Sequence, residues 1–295
     1  MKIVKLKGGL GNQMFQYAYA KLLQKRTHEK IVLDYSAFQS LENDMVRVPR
    51  IEKFNISLSN ATPEQINKVC KIKHSGNSQT FKYRLGVYIE GKINKDYFIE
   101  PNRAFIEPSR IINKRYFDGY WQSWRYVQEV KDDLKKEFVP NYRLSDKTLK
   151  YQEIMMQENS AFIGVRRGDY AKEEAHYGSF SSKYYENAMR YISAKVKNPV
   201  FYVFSNDITW CKENINWNGY NVKFRDKEFQ TNDFEELMLM ASCKHAIIVN
   251  SSYNWWGASL ISNEDKIVCC PQKWWFDDKP IDIIPNEWIR IKDEI

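Results

Sequence analysis

The sequence predicts an α/β protein of two Rossmann-like domains, and three observations carry that expectation. Its 295 residues exceed one average domain, and its 43% hydrophobic share lies near the globular mean. Its second half alternates short apolar strands with helical segments, a pattern that folds as a mostly parallel sheet covered on both faces. Domains of residues 1–150 and 151–295 are expected, with the boundary inside the polar stretch 139–158, which contains Pro140. Two such units place a cleft between them, and ligands of open parallel sheets sit beyond the carboxyl ends of strands.

Residues 1–6 read as a strand, 7–13 as a glycine-rich turn, 14–24 as a helix and 30–34 as a second strand, so a βαβ unit opens the chain. Phe15, Ala18, Tyr19 and Leu22 share one face of that helix. Residues 36–110 hold short apolar runs broken by Pro49, Pro63, Pro101 and Pro108, and no element is predicted there. From residue 161 the expected order is strand 161–165, helix 182–196, strand 200–205, a short helix near Trp210, strand 221–224 and helix 233–243. Strand 245–250, helix 254–262 and strand 266–270 follow. Asn232 with Glu235 has the spacing of a helix-start capping box.

Composition excludes several classes. Cys70, Cys211, Cys243, Cys269 and Cys270 are an odd number without CxxC or His spacing, which points to a reducing compartment and no zinc. Lys2, Lys5, Lys7 and the glycine cluster interrupt the N-terminal apolar residues, so no signal peptide is expected. No run approaches the ~18 apolar residues of a membrane span, and a cytoplasmic location is the default. Charge is uneven: residues 1–150 hold 28 Lys plus Arg against 16 Asp plus Glu, net +12, whereas residues 151–295 hold 17 against 21, net −4. That asymmetry suits an anionic partner, whether nucleic acid, an acidic lipid headgroup or a phosphate-bearing acceptor, and equally a solvated lysine-rich surface.

Three groups could carry chemistry. Gly8-Gly9-Leu10-Gly11-Asn12-Gln13 follows the first strand and opens the first helix, where backbone amides and the helix dipole favour an anion or sugar hydroxyls; the alternative is a merely tight turn. It fails as a dinucleotide fingerprint, because Met14 stands where a third glycine is needed. Val165-Arg166-Arg167-Gly168-Asp169-Tyr170 ends an uncharged strand in two guanidinium groups, which suit a diphosphate because each fork holds two oxygens and stays charged. Arg166 is equally a structural partner of Asp169. Ser205-Asn206-Asp207 and Asn250-Ser251-Ser252 end later strands beside helix starts and make a second anion seat. The pair Trp255-Trp256 reads as at least partly core. Glu235 and Glu236 lie in the first turn of a helix, either complementing its dipole or receiving two donors from a purine edge. No Asp-x-Asp occurs, so no metal clamp is expected and arginines must stabilise a departing diphosphate.

With these pieces assembled, the chain resembles the bacterial α-1,2-fucosyltransferases. Four blocks carry the resemblance in order: Gly8-Gly9-Leu10-Gly11-Asn12-Gln13-Met14-Phe15-Gln16-Tyr17; Gly119-Tyr120-Trp121-Gln122-Ser123; Val165-Arg166-Arg167-Gly168-Asp169-Tyr170; and Leu237 through Cys243-Lys244-His245 to Asn250-Ser251-Ser252-Tyr253-Asn254-Trp255-Trp256-Gly257-Ala258. The resemblance implies a GT-B fold, two Rossmann-like domains facing a cleft, with GDP-fucose held mainly by the C-terminal one, no metal, and a galactose-terminated glycan as acceptor. It assigns Arg167 to the β-phosphate, Ser251 and Ser252 to phosphate, and Glu236 to guanine, and it brings Asn12 towards the fucose or acceptor. Gly9, Gly11, Gln13, Arg166, Asp169, Ser205, Asn206, Asp207, Asn250 and Trp255 complete the expected nucleotide-sugar site. Three positions depart from the family pattern: Gly164 stands where His-x-Arg-Arg usually begins, Glu236 replaces Asp, and Tyr253-Asn254 replaces Phe-Ser.

The resemblance implies one inverting displacement, the acceptor hydroxyl attacking fucose C1 opposite GDP while Arg167 stabilises the leaving diphosphate. Asp34, His176 and Asp207 are the candidate bases, with no choice among them. Two other classes compete: a lectin-like module using the nine tryptophans and nineteen tyrosines, and a single-stranded RNA binder using Lys114-Arg115-Tyr116-Phe117 with Trp121, Trp124 and Arg125. The net +12 half also suits peripheral contact with anionic membrane, where a lipid-diphosphate acceptor would reside.

Overall fold

Strand β1 (Lys2–Lys5) is buried along its whole length, the apolar Ile3 and Val4 and the flanking Lys2 and Lys5 all shielded from water. The computed structural model describes residues 1–38, 48–70, 81–102, 104–167, 180–225, 231–275 and 281–293, the side chains of 81–84 excepted. The chain forms two units, Met1–Tyr142 with Pro280–Ile283, and Arg143–Lys279 with Ile284–Ile295.

In the first unit β1 pairs in parallel with β2 (Ile31–Asp34) and β5 (Tyr116–Asp118), and β3 (Ser59–Asn60) and β4 (Tyr97–Ile99) complete a five-stranded sheet in the order β3-β2-β1-β5-β4. Helix α1 (Leu10–Thr27) is buried from Leu10 through Leu23 except at Asn12. It starts four residues before the expected helix, so Gly11, Asn12 and Gln13 form its first turn. The reason is local. Gly8 takes the left-handed conformation (φ 79°), Gly9 is the extended N-cap, and the amides of Asn12 and Gln13 donate to the Gly9 carbonyl at 3.0 and 3.1 Å.

The stretch without a predicted element contains α2 (Pro63–Asn67), closed by a Thr62–Gln65 capping box, and α3 (Phe81–Ile93). Helices α4 (Trp124–Glu129) and α5 (Lys131–Glu137) follow β5. The returning segment supplies Asp282, whose carboxylate accepts from the Ser123 hydroxyl at 2.6 Å and pairs with Arg125 at 3.2 Å, while its carbonyl accepts from the Trp124 amide at 3.0 Å.

The second unit holds six parallel strands in the order β11-β10-β9-β6-β7-β8. These are β6 (Ser160–Val165), β7 (Val200–Ser205), β8 (Asn221–Phe224), β9 (His245–Ile247), β10 (Val268–Pro271) and β11 (Ile289–Ile291). The intervening helices are α6 (Asp146–Gln157), α7 (Ser182–Ser193), α8 (Ile208–Asn214), α9 (Asp233–Ala241) and α10 (Ser252–Ser259). Tyr184, Ala188, Met189 and Ile192 of α7 pack with Ile163, Phe201, Val203 and Ile247 of the strands into one core cluster. The unforeseen β11 is a three-residue edge strand carrying Arg290, too short to show alternation. Asn232 caps α9 by accepting from the amides of Phe234 and Glu235; the buried Glu235 carboxylate accepts from the Ser145 and Thr148 hydroxyls, tying α9 to the start of α6. No helix among the described residues is long and apolar enough to cross a membrane.

A buried charge cluster lies under the glycine turn. Lys5 is 0% and Asp118 2% exposed; Asp118 receives Lys7 Nζ at 2.5 Å, the Tyr97 hydroxyl at 2.8 Å and Lys5 Nζ at 3.6 Å. Burial pushes the Asp118 carboxyl up, but the Lys7 and Lys5 ammonium groups and the hydrogen bonds of Lys7 and Tyr97 outweigh it and hold it well below the ordinary range. A depressed carboxyl stabilises the fold above its unfolded value, so this contribution is complete at neutral pH and is lost only in acid. Asp118→Asn is expected to cost about 3–5 kcal/mol in denaturant unfolding at neutral pH, because it removes the buried carboxylate that both ammonium groups meet; a loss under about 1 kcal/mol would contradict this account.

Candidate active site

Strand pairing places the two arginines. Val165 at the end of β6 is in register with Ser205 at the end of β7, so the chain leaving each strand runs beside the other. The Arg167 amide donates to Asn206 Oδ1 at 3.0 Å. Ser205 Oγ accepts from the Asp207 amide at 3.0 Å, and Asp207 Oδ1 accepts from the Trp210 amide at 2.9 Å, capping α8. The Arg167 guanidinium lies 4.1 Å from the centre of the Trp210 ring, a cation–π contact. Ser205, Asn206 and Asp207 thus act as a scaffold that fixes Arg167 and its aromatic platform. Half-buried Arg167 has no carboxylate partner among the described residues, which leaves its charge available to an anion. Arg166 is half-buried beside it; Asp169 and His176 lie outside the described residues.

Beyond β9, Asn250 and Ser251 are each 2% exposed, and Ser251 caps α10, its Oγ accepting from the Asn254 amide. Ser252 is half-buried in the first turn, so hydroxyls and helix amides face the start of α10. Trp255 is core: it packs on Trp256 at 4.9 Å and Trp288 at 5.3 Å between ring centres. Glu236 forms an ion pair with Arg225, which follows β8 and also donates to the Thr231 carbonyl at 2.9 Å. The pair orients the carboxylate. Arg225 is not among the residues the sequence singles out, although a basic residue just after a strand is the same signal that marks Arg166 and Arg167.

Two of the sequence's departures meet in space. A Cβ placed on Gly164 would lie 2.5 Å from Asn254 Cγ, 2.5 Å from Oδ1 and 2.6 Å from Nδ2. The Asn254 amide therefore lies flat against the glycine, 6% exposed, with Nδ2 4.0 Å from Met240 Sδ. Residue 164 can be a glycine because residue 254 fills its space.

In the first unit, the first two sequence blocks converge at the carboxyl end of the sheet. Gln122 Nε2 donates to Asn12 Oδ1 at 2.8 Å, and Gln16 bridges the turns, accepting from the Lys7 amide at 2.9 Å and donating to the Gly119 carbonyl at 3.1 Å. Trp121 adopts a left-handed conformation (φ 55°), unusual for a bulky residue, with its ring stacked 3.9 Å from Tyr19. Glu100 holds this turn by accepting from the Tyr120 amide at 2.6 Å and the Trp121 amide at 3.2 Å; burial pushes its carboxyl up to about 7 against those two bonds. Gln13 serves local structure, donating to the Gly8 and Val48 carbonyls and accepting from the amides of Arg50 and Ile51. Asp34 is fully buried, accepting from the Tyr116 hydroxyl and the Ser36 amide. Tyr116, Phe117 and Trp121 are 0% exposed, so they cannot stack on bases, and the RNA-binding reading loses its platform.

Two sheets of parallel strands with helices, and an arginine and a helix N-terminus at the carboxyl edge of one of them, define a glycosyltransferase-like α/β architecture of GT-B type. The chain belongs to glycosyl transferase family 11, whose model matches residues 1–292. It is 31% identical to the O-antigen biosynthesis glycosyltransferase WbnK of Escherichia coli, over 97% of this chain and 99% of that one. It is 30% identical to an alpha-1,2-colitosyltransferase of Escherichia coli, over 98% of each. Among solved structures it is similar to POFUT1 in complex with GDP-fucose, with a TM-score of 0.51 at 11% identity, covering 91% of this chain and 97% of that one.

The Gly164–Asn254 contact makes a coupled prediction. Gly164→Ala alone should destabilise by about 1–3 kcal/mol, as overpacking does. Adding Asn254→Ser should recover at least half of that loss in a double-mutant cycle of chemical denaturation, and strictly additive effects would show that the two positions do not share this space.

Proposed function

We propose that this protein transfers L-fucose from GDP-β-L-fucose to the 2-OH of a galactose in a glycan acceptor, with inversion and without a metal. The observation that carries this reading is the Arg167 guanidinium, fixed on Trp210 and through its backbone on Asn206, with no carboxylate partner among the described residues. A leaving diphosphate gains negative charge in the transition state, and a fixed cation at the strand end stabilises that charge more than it stabilises the ground state. The start of α10, with Ser251 and Ser252, offers amides and hydroxyls to the phosphates. Glu236, oriented by Arg225, keeps acceptor capacity for a purine edge, which favours guanine. In the first unit, Gly9 and Gly11 allow close approach to the α1 N-terminus, where Asn12 and Gln122 present amides suited to sugar hydroxyls. The acceptor hydroxyl attacks C1 from the face opposite GDP, so a β-linked donor gives an α-linked product. We assign the reaction to the cytoplasm, with the acceptor glycan carried on a lipid diphosphate.

The relative that transfers colitose supports one competing donor. Incubation with GDP-fucose or GDP-colitose and a panel of galactose-terminated acceptors in EDTA, with linkage read by NMR, decides between them. The expected product is Fuc-α-1,2-Gal; transfer from GDP-colitose alone, or a requirement for added metal, would overturn the corresponding part of the proposal. Arg167→Ala should lose roughly a hundredfold to a thousandfold in kcat, about 3–4 kcal/mol, as expected for removing one preorganised charge partner. Near-normal turnover in that variant would remove Arg167 from the reaction.

A further inference from the structure

Helix α3 presents an apolar face to water. Leu85 is 44% exposed, Tyr88 60%, Ile89 37% and Ile93 57%, and their spacing places all four on one side of the helix. The opposite side is anchored: Glu90 and Asn94 are 0% and 4% exposed, and Asn94 donates to the Val69 carbonyl at 2.7 Å. This stripe is therefore not an undersized core contact but the outward face of a helix already fastened to its unit.

The stripe's surroundings are basic. Lys92 lies within it, its ammonium 5.7 Å from the centre of the Tyr88 ring, and exposed Lys95 follows at the helix end. Lys114 reaches the Lys95 carbonyl at 2.6 Å, which brings the Lys114-Arg115 pair to the same corner. Residues 81–115 contain eight Lys or Arg against four Asp or Glu. A second copy docked face to face would set lysine against lysine, which costs energy at each like-charge contact. An anionic lipid surface instead satisfies both features, taking apolar side chains at the headgroup boundary and attracting the adjacent cations. Tyrosine suits that depth because its ring is apolar and its hydroxyl stays wet.

We propose that this face of α3 rests on an anionic lipid surface, with Leu85, Tyr88, Ile89 and Ile93 entering the headgroup boundary and Lys92, Lys95 and Arg115 meeting lipid phosphates. Lys95 and Arg115 directly precede the starts of β4 and β5 or lie one residue further back. The contact thus uses the amino-terminal edge of the first sheet and leaves its carboxyl edge free. The inference stands whichever sugar nucleotide the protein uses.

The test is co-sedimentation of the full chain with vesicles of phosphatidylcholine alone or of phosphatidylcholine mixed with phosphatidylglycerol. The protein should pellet with the mixed vesicles, remain in the supernatant with the neutral ones, and be released as salt rises. Ile89→Glu combined with Ile93→Glu should weaken binding by ~10-fold or more while the melting temperature stays unchanged; Leu85→Ser with Tyr88→Ser should do the same without adding charge. The proposal is overturned if the wild type ignores both vesicle types, if it binds both equally at every salt concentration, or if both variants pellet as it does. It is also overturned if ultracentrifugation shows a dimer that these variants abolish, since a second copy then covers the face.

Discussion

Pairing of β6 with β7 is the constraint on which the candidate site depends. Their register brings Val165 opposite Ser205, and what positions Arg167 comes from the few residues beyond that match: the Asn206 side-chain Oδ1 accepting from its amide and the Trp210 ring facing its charge. An arginine at the edge of a net-acidic half would ordinarily find a carboxylate. Here Asp207, next in sequence to the Asn206 that holds the Arg167 amide, is committed to capping α8, and the guanidinium rests on an aromatic face that lowers its hydration without cancelling its charge.

The first unit obeys a different logic, in which buried charge and backbone strain are balanced by dense hydrogen bonding. Lys5, Lys7, Asp118 and Tyr97 form one satisfied network beneath the glycine turn. Above it, the left-handed Trp121 is held by stacking on Tyr19 and by the Glu100 carboxylate on its amide. Strain of this kind costs of order 1–3 kcal/mol and persists where the surroundings over-determine it. Its outcome is that Gln122 meets Asn12, so two blocks separated by about a hundred residues in sequence become one surface.

Much of this was legible in the sequence, and the failures have physical causes. Strands β6 and β7 were visible because each carries at least four consecutive uncharged, mostly apolar residues and is followed by polar ones. Strands β3, β4 and β5 have two or three residues each, too few for a period, and they gain their stability from neighbours contributed by distant parts of the chain. Helix α1 begins before the residue the sequence predicts because glycines at 8, 9 and 11 read as one turn, whereas only the first is left-handed and the last is already helical. In the candidate site, the arginines and serines announced themselves by standing at strand ends. The Gly164–Asn254 contact could not be read, since two substitutions 90 residues apart show no sign of being neighbours until the parallel sheet brings them together.

Asp282 has a consequence for dissecting the protein. The segment that bonds Ser123, Trp124 and Arg125 arrives from the far end of the chain, so the N-terminal unit is assembled from two stretches of polypeptide. A chimera or truncation that severs the chain once near residue 142 discards the counter-ion of Arg125 and the partner of the Ser123 hydroxyl. Recombination between members of the family that preserves both halves must therefore exchange two pieces together, which makes the C-terminal tail part of the inheritance of the N-terminal fold.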